Sequence, residues 1–585
     1  MALNAHRLSS SGTIVDLLLE RAGNGEGGGF EFLADGESVT EALSWAALAD
    51  QMCAVSAGVL ARCRPRDRAL LFFRPGLDFL VTFLGCLHAG VIPVPCVPPT
   101  RPFRRAFDRI DEIVRVTSPS IVISGEKALP SDAGGVATIT ASVSQARIVG
   151  QKELLTEERE SRSRAAVDEV AFLQFTSGST SAPKGVMVTH ANLMTNLQDI
   201  QESVGDDRHS VTVTWMPIYH DFGLIDGVLG AIFSGHRCVC MPPHAFVQKP
   251  IRWLRAISRY KATHSGSPNF GYELCVAKIS SDEASRLDLS SWRIAANGSE
   301  PIRPATLHAF QERFASSGFR PSAFHPCYGL AEATLKVTIG TADRLRDRFL
   351  DADALERGQV LEVSAEAPRA RAIASSGSPS RHVELAIVDP ESCEELSEGQ
   401  IGEIWVAGRS VTAGYYNNEK ASAETFSGRL VTSNRGPFLR TGDLGFTKEG
   451  ELYVTGRRKD LIILAGRNLY PQDIERTVED AHELLGTGCA VAFAVDDGRQ
   501  EQLVVLFELA RPRSDSGWTP LNVIDTVFRA IRRDHLVDAS AIAAVPRGAL
   551  LRTTSGKIRR RACRQAWSSG GLDLLERVPA GGASS

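Results

Sequence analysis

The stretch FTSGSTSAPKG (175–185) sets the small or hydroxylated residues Thr176, Ser177, Gly178, Ser179 and Thr180 ahead of a cation, Lys184, and Gly185. Glycine lets a backbone approach an anion closely, so amide N–H groups can converge on phosphate oxygens. The hydroxyls add donors and the lysine adds a point charge. The string does not fit G-x-x-x-x-G-K-[ST], so it is not a Walker A loop. DEVAFLQF (168–175) before it reads as a strand, and VTHANLMTNLQ (188–198) after it reads as a helix start. A flexible Ser/Gly linker is the competing interpretation, but linkers are seldom set between a buried strand and an amphipathic helix.

TSGSTSAPKG resembles the phosphate loop of the adenylate-forming superfamily, which includes acyl-CoA synthetases, nonribosomal-peptide adenylation domains and luciferases. Those proteins usually have Gly where this chain has Ser181. A positive φ there would cost Ser181 about 1 kcal/mol or more. Further strings of the same superfamily follow in order. NGSEP (297–301) is similar to the segment that lines the adenine, which implicates Ser299, Glu300 and Pro301. CYGLAEAT (327–334) implies that Tyr328, next to Gly329, stacks on the adenine and that Glu332 binds Mg²⁺. A purine face suits a flat ring, and Mg²⁺ suits a hard carboxylate. RTGDLG (440–445) implies that Asp443 accepts the ribose hydroxyls. GRRKD (456–460) resembles the hinge motif, with Arg457 near ribose and phosphate and Lys459 and Asp460 carrying a swivel. TTSGKIRRR (553–561) implies that Lys557 bridges the substrate carboxylate and the α-phosphate. Any one of these residues alone has an ordinary alternative, such as a packing ring, a surface carboxylate or a solvated basic turn. Six strings in order are hard to reach by chance.

WMPIYHDFGLI (215–225) is similar to the M-P-x-x-H-D-x-G-L pattern of fatty acyl-AMP ligases, in which the histidine lies near the substrate carboxyl. That maps to His220, with Asp221 able to orient the imidazole; a satisfied core histidine is the competing role. VPCVPPTRP (94–102) and GRNLYPQDIE (466–475) resemble the same family. The charged segment 341–373 carries little core-forming pattern and reads as a surface insertion. It stands where these ligases carry an insertion that restrains the small domain and disfavours reaction with CoA. A tolerated loop without a role is the alternative.

The resemblance implies an enzyme that uses ATP and Mg²⁺ to convert a fatty acid to an acyl-adenylate with release of pyrophosphate. The acyl group then passes to the phosphopantetheine thiol of an acyl carrier protein. A long-chain acyl-CoA synthetase, an adenylation enzyme for another acid, and a silent binding protein on the same fold remain as rivals. Arg559, Arg560, Arg561 and Arg564 are expected to form a docking patch for an acidic carrier. KIRRRACR has no aromatic platform beside it, which argues against nucleic acid.

These residues need a scaffold of alternating strands and helices. ALLFF (69–73), VTVTWMP (211–217), HRCVCMP (236–242) and VELAIVD (383–389) read as strands, and LDFLVTFLGCLHAG (77–90) as a buried helix. The alternation predicts an α/β fold with a mainly parallel sheet. The resemblance implies a large N-terminal adenylate-forming domain (1–457, mixed sheets with helices), a hinge (458–460), a small mobile C-terminal α/β domain (461–577) and a disordered tail (578–585).

The 585 residues are 43% hydrophobic and 23% charged, ordinary for a globular protein. A net charge of -4 does not suit a nucleic-acid binder. Eleven cysteines without a C-x2-C pair read as free thiols in a reducing cytoplasm. Asp16 interrupts the only apolar run near the start, so no signal peptide is expected. Residues 79–100 lack charge, but Pro93, Pro95, Pro98 and Pro99 break them, so no integral membrane association is expected.

Overall fold

The computed structural model describes residues 12–99, 103–129, 146–155, 166–176, 183–340, 346–464, 467–496, 501–510, 517–553 and 556–579. The apolar runs become the strands of two parallel layers. In the larger sheet, Phe324–Gly329, Ile294–Asn297, His264–Ser267, Val211–Thr214, Arg237–Cys240 and Gly29–Phe32 lie side by side and parallel. Antiparallel strands close its two edges. The smaller sheet orders Ile92–Cys96, Arg68–Phe72, Ile121–Ser124 and Arg147–Gly150, all parallel. Parallel strands must be covered on both faces, which explains why their sequences are continuously apolar. The helix Leu77–His88 is buried around nearly its whole circumference. It packs so closely on the helix Trp45–Leu60 that a Cβ at Gly85 would sit 2.6 Å from Val55 Cγ1.

Two expected strands are shorter than their apolar runs. Val211–Thr214 stops before Trp215, and Arg237–Cys240 before Met241. The chain beyond Thr214 turns through Pro217 and then winds into a π-helix, Phe222–Leu229. The expected order of strand, loop and helix around 175–185 also changes. Val170–Thr176 pairs antiparallel with a second strand, Lys184–Thr189, and the helix His190–Val204 begins only after it. Thr189 and Asn192 form a reciprocal cap at its start.

The segment 341–373, expected as a surface insertion without core pattern, packs into the core from residue 346 onward; residues 341–345 lie outside the described residues. Asp347–Asp351 pairs antiparallel with Ala370–Ala374, and the short helix Ala352–Glu356 follows the first strand. Leu350, Leu355 and Ile373 pack with Phe446, Tyr453 and Tyr470. The reason is spacing: three apolar side chains spread among charges leave no periodic signal, yet one hairpin brings them together.

Val383–Val388, Gly402–Gly408, Leu439–Lys448 and Glu451–Arg457 form an antiparallel meander. Beyond it, Ala490–Asp496, Glu501–Leu509, Ala541–Pro546 and Glu576–Pro579 form a separate mixed sheet with helices Pro471–Asp480 and Pro520–His535 on one face. The expected disordered tail starts too early, because Val578 and Pro579 belong to the last strand; residues 580–585 lie outside the described residues. Among the described residues, no helix is long and apolar enough to cross a membrane.

Candidate active site

The larger parallel sheet, the meander and the C-terminal sheet deliver their chemistry to one place. Lys557 Nζ donates to the carbonyl of Ser299, 258 positions away in sequence. Glu300, Asp221 and Asp443 provide the negative charge around the ammonium, and Arg457 opposes it. Burial lowers the Lys557 pKa, and the carboxylates only partly offset it. Ser299 holds φ +70°, a left-handed conformation that a non-glycine residue adopts at a cost. Its carbonyl therefore points where a regular strand end would not send it.

Asp443, 5% exposed, accepts from Tyr328 Oη at 2.8 Å and from Arg457 Nε at 2.8 Å. That ion pair holds the Arg457 guanidinium above its usual pKa. Tyr328 is the last but one residue of its sheet strand, with a bulge between it and Gly329. Gly329 is required there because a Cβ would meet Leu335 O at 1.8 Å. Glu300 is half-buried and accepts from the Phe270 amide at 2.6 Å; desolvation pushes its carboxyl upward. Pro301 follows it at the exposed lip.

Glu332 sits on the single turn Ala331–Ala333. It accepts from Tyr415 Oη at 2.8 Å, and burial raises its pKa. Lys184 lies with Nζ 4.4 Å over the Tyr415 ring centroid. Burial lowers its pKa and the Lys459 ammonium lowers it further. Thr176 and Lys184 face each other across the hairpin, and Gly185 O accepts from the Tyr416 amide at 2.8 Å. Ser177, Gly178, Ser179 and Thr180 lie outside the described residues.

His220 Nδ1 is 2.6 Å from Asp221 Oδ1, which also accepts from the Phe222 amide at 2.7 Å. Burial pushes the Asp221 carboxyl up, but His220, the Phe222 amide and Lys557 outweigh it, so the carboxyl lies below the usual range. Met216 and Ile218 in the same segment join Phe30, Phe79, Leu80 and Val228 around a small apolar pocket. Under the π-helix, His264 Nδ1 lies 2.5 Å from Asp206 Oδ2 and Nε2 lies 3.3 Å from Asp226 Oδ2.

Lys459 and Asp460 share a 3-10 turn. Asp460 pairs with Arg560 at 2.8 Å, and Arg560 also grips Glu475 at 2.8 Å. This corrects the expected docking patch, because an arginine bound to two carboxylates is not free for a partner. Arg559, Arg561 and Arg564 remain exposed.

The C-terminal sheet is held on two sides. Glu356 of the inserted hairpin accepts from Arg369 at 2.9 Å and from Arg467 at 2.7 Å. Arg369 also donates to Asp534 O at 2.6 Å, and Arg371 pairs with Asp473 at 3.0 Å. On the other side Arg303 pairs with Glu479 at 3.0 Å. Tyr415 carried no motif signal, since it lies in the plain string GYYNN; Asn297 opens the NGSEP string without having been singled out there, and both of its side-chain polar atoms are buried with no partner among the described residues.

The assembled groups include a cation, Lys557, held by carboxylates, two further cations beside a hairpin loop, and a half-buried carboxylate, Glu332, with one neutral donor. They can stabilise negative charge that moves between phosphate oxygens. Comparison with known proteins gives the same picture. The profile of the AMP-binding enzyme family matches residues 20–416, and that of the Disco-interacting protein 2-like AMP domain matches residues 459–577. Medium-chain-fatty-acid–[acyl-carrier-protein] ligase JamA of Moorena producens is 38% identical, covering 96% of each chain. A structure from a study of fatty acyl-adenylate ligases of E. coli and L. pneumophila superposes with TM-score 0.87 at 29% identity, covering 96% of this chain and 98% of the other. The L. pneumophila fatty acyl-adenylate ligase in complex with acyl adenylate and pyrophosphate gives TM-score 0.73 at 36% identity, with coverage of 97% and 98%.

Proposed function

The chain belongs to the AMP-binding enzymes and, among them, to the fatty acyl-AMP ligases, and from that membership we propose that it activates a medium- or long-chain fatty acid as acyl-AMP and loads it onto a carrier-protein thiol. The observation that carries this reading is the arrival of Lys557 among Ser299, Glu300, Asp221 and Asp443. A lysine from the far end of the chain reaches the loop beside Ser299 and Glu300, which supports reading it as the bridge between the carboxylate and the α-phosphate.

In the first step an oxygen of the fatty-acid carboxylate attacks the α-phosphorus of ATP. The bond to the bridging oxygen breaks and pyrophosphate leaves with its electron pair. Catalysis of this kind is mostly positioning and charge neutralisation. Lys557 offsets charge on the carboxylate and α-phosphate oxygens. Lys184 and Lys459, which repel each other in the free protein, take the β- and γ-phosphates together with the loop 176–185. Asp443 has lone pairs left for the ribose hydroxyls after Tyr328 and Arg457. Asn297, with donor and acceptor both unpartnered, fits the edge of a purine, and Tyr328 offers its ring face. Leaving that amide unmatched would cost about 1–3 kcal/mol.

Glu332 suits Mg²⁺: it is a half-buried carboxylate whose desolvation favours the protonated form, so a hard cation would restore its charge. Bound there, Mg²⁺ would neutralise phosphate charge. His220, turned by Asp221, faces the acyl carboxylate, and the apolar pocket beside Met216 and Ile218 takes the start of the alkyl chain. In the second step the C-terminal unit rotates about Lys459–Asp460, withdraws Lys557, and admits the thiol. The thiolate attacks the acyl carbon and AMP leaves. None of the eleven cysteines forms a disulfide, which suits work in the reducing cytoplasm.

ATP–pyrophosphate exchange over a panel of acids, read with mass spectrometry of the adenylate, tests the first step. Product analysis with CoA against holo carrier protein tests the second. Exchange with no acid in the panel would reject the reading.

A further inference from the structure

One side chain touches both the loop lysine and the metal-type carboxylate. Tyr415 presents its ring face to Lys184 Nζ at 4.4 Å and donates its hydroxyl to Glu332 Oε1 at 2.8 Å. Few side chains could do both, since the contact needs a π-face and a hydroxyl at fixed separation.

The ring is not free to adapt. Tyr415 is 5% exposed, and Phe426 meets its edge at 5.3 Å between centroids. Its amide donates to Ser422 Oγ at 2.9 Å. The flanking backbone is stitched to the strand that leaves the phosphate loop: Met187 N donates to Gly414 O at 2.9 Å, and Tyr416 N donates to Gly185 O at 2.8 Å. Thr412 N donates to Glu332 O at 2.9 Å, which fixes the other end of the same segment against the turn that bears the carboxylate. Tyr415 is therefore anchored through backbone to both groups that its side chain touches.

We propose that Tyr415 is the positioning residue of the metal–triphosphate half of the site, setting the spacing between Lys184 and Glu332 before the nucleotide arrives. The inference rests on the adenylation reading above. The hydroxyl holds one oxygen of Glu332 and so aims the other. The ring keeps Lys184 extended beside the loop by a contact weak enough to be exchanged for phosphate oxygens. The two duties are separable, because phenylalanine keeps the ring and loses only the hydroxyl.

The test is calorimetric titration of the full chain with ATP in EDTA and with ATP plus Mg²⁺, for wild type, Tyr415→Phe and Tyr415→Leu, with melting temperatures as a folding control. Tyr415→Phe should weaken binding of ATP plus Mg²⁺ by about tenfold and leave binding of ATP in EDTA unchanged. Its exchange reaction should need more Mg²⁺ for half-saturation. Tyr415→Leu should weaken both titrations. An unchanged Mg²⁺ dependence in Tyr415→Phe, or equal losses with and without Mg²⁺ in both variants, overturns the inference alone. A wild-type chain that binds ATP under neither condition removes the adenylation reading and this inference with it.

Discussion

The ammonium of Lys557 donates to the carbonyl of Ser299, so the C-terminal sheet closes directly onto a strand end of the larger parallel sheet. Around that contact lie Glu300, Asp221, Asp443 and Arg457, the charges proposed above to act with Lys557 in adenylation.

Replacing Lys557 separates binding from chemistry. Lys557→Ala should lower pyrophosphate exchange by a factor on the order of a hundred or more, since one charge at contact distance is being removed. ATP affinity by titration should stay within severalfold. Burial lowers the Lys557 pKa, and its acting form is the cation. Exchange in the wild type should therefore fall as pH rises, at a lower pH than an ordinary lysine would give. Full exchange in the variant would reject the role.

The restraint proposed for the inserted hairpin can be probed at one carboxylate, Glu356. Glu356→Gln weakens the hold on Arg369 and Arg467 at once while preserving shape. Turnover with CoA should rise relative to wild type, measured as acyl-CoA formed per adenylate consumed. Deleting 341–373 is a poorer test, because it strips Leu350, Leu355 and Ile373 from Phe446, Tyr453 and Tyr470 and should lower the melting temperature. A properly folded Glu356→Gln with wild-type CoA turnover would dismiss the restraint.

The arginines after Lys557 should divide into two classes. Charge reversal at Arg561 and Arg564, both exposed, should slow transfer to a holo carrier and leave exchange intact. Arg560→Glu should instead destabilise the fold, because it places a third carboxylate between Asp460 and Glu475. Carrier loading and thermal melting distinguish the two. Equal loading by the Arg561 and Arg564 reversals would show that the carrier docks elsewhere.

The buried pair beneath the π-helix gives stability a pH signature. Asp206 and Asp226 hold the His264 pKa well above 6.5 against the pull of burial. A raised histidine contributes fully below its unfolded pKa and loses that contribution as pH rises through the folded value. Asp206 is lowered to about 2, so its contribution is present above pH ~4 and fades as pH falls toward that value. His236, lowered to about 4 by burial, opposes folding as pH falls below 6.5, and the buried His325, also lowered, acts in the same direction. Melting temperature should thus decline above about pH 6.5, with a slope of at most ~1.4 kcal/mol per pH unit from His264. His264→Gln should flatten that alkaline limb, and parallel limbs in both proteins would exclude His264 as its source.

Much of the fold was legible because its strands lie in parallel layers whose burial on both faces leaves unbroken apolar runs, as in Arg68–Phe72 and Arg237–Cys240. The chemistry was legible where a residue type is needed at a fixed spacing, as with Asp443 and Arg457, which meet at 2.8 Å across neighbouring strands. Long-range partners left no mark. Nothing near Arg560 in sequence announces Asp460, and the string GYYNN does not announce Glu332 or Lys184. The π-helix Phe222–Leu229 escaped for a different reason. Over eight residues an apolar pattern cannot distinguish i→i+5 from i→i+4 bonding. The hairpin strand Lys184–Thr189 was absorbed into a helix start because VMVT precedes a strong cap.

Arg560 stands three positions after Lys557 and binds Asp460 on the turn proposed as the hinge. Pivot and blade are therefore riveted together. Fraying of the loop around Lys557 cannot withdraw the lysine alone without straining that rivet. Retraction has to be a swing of the whole lever, so one stroke that vacates the adenylation seat also exposes whatever face the thiol must enter.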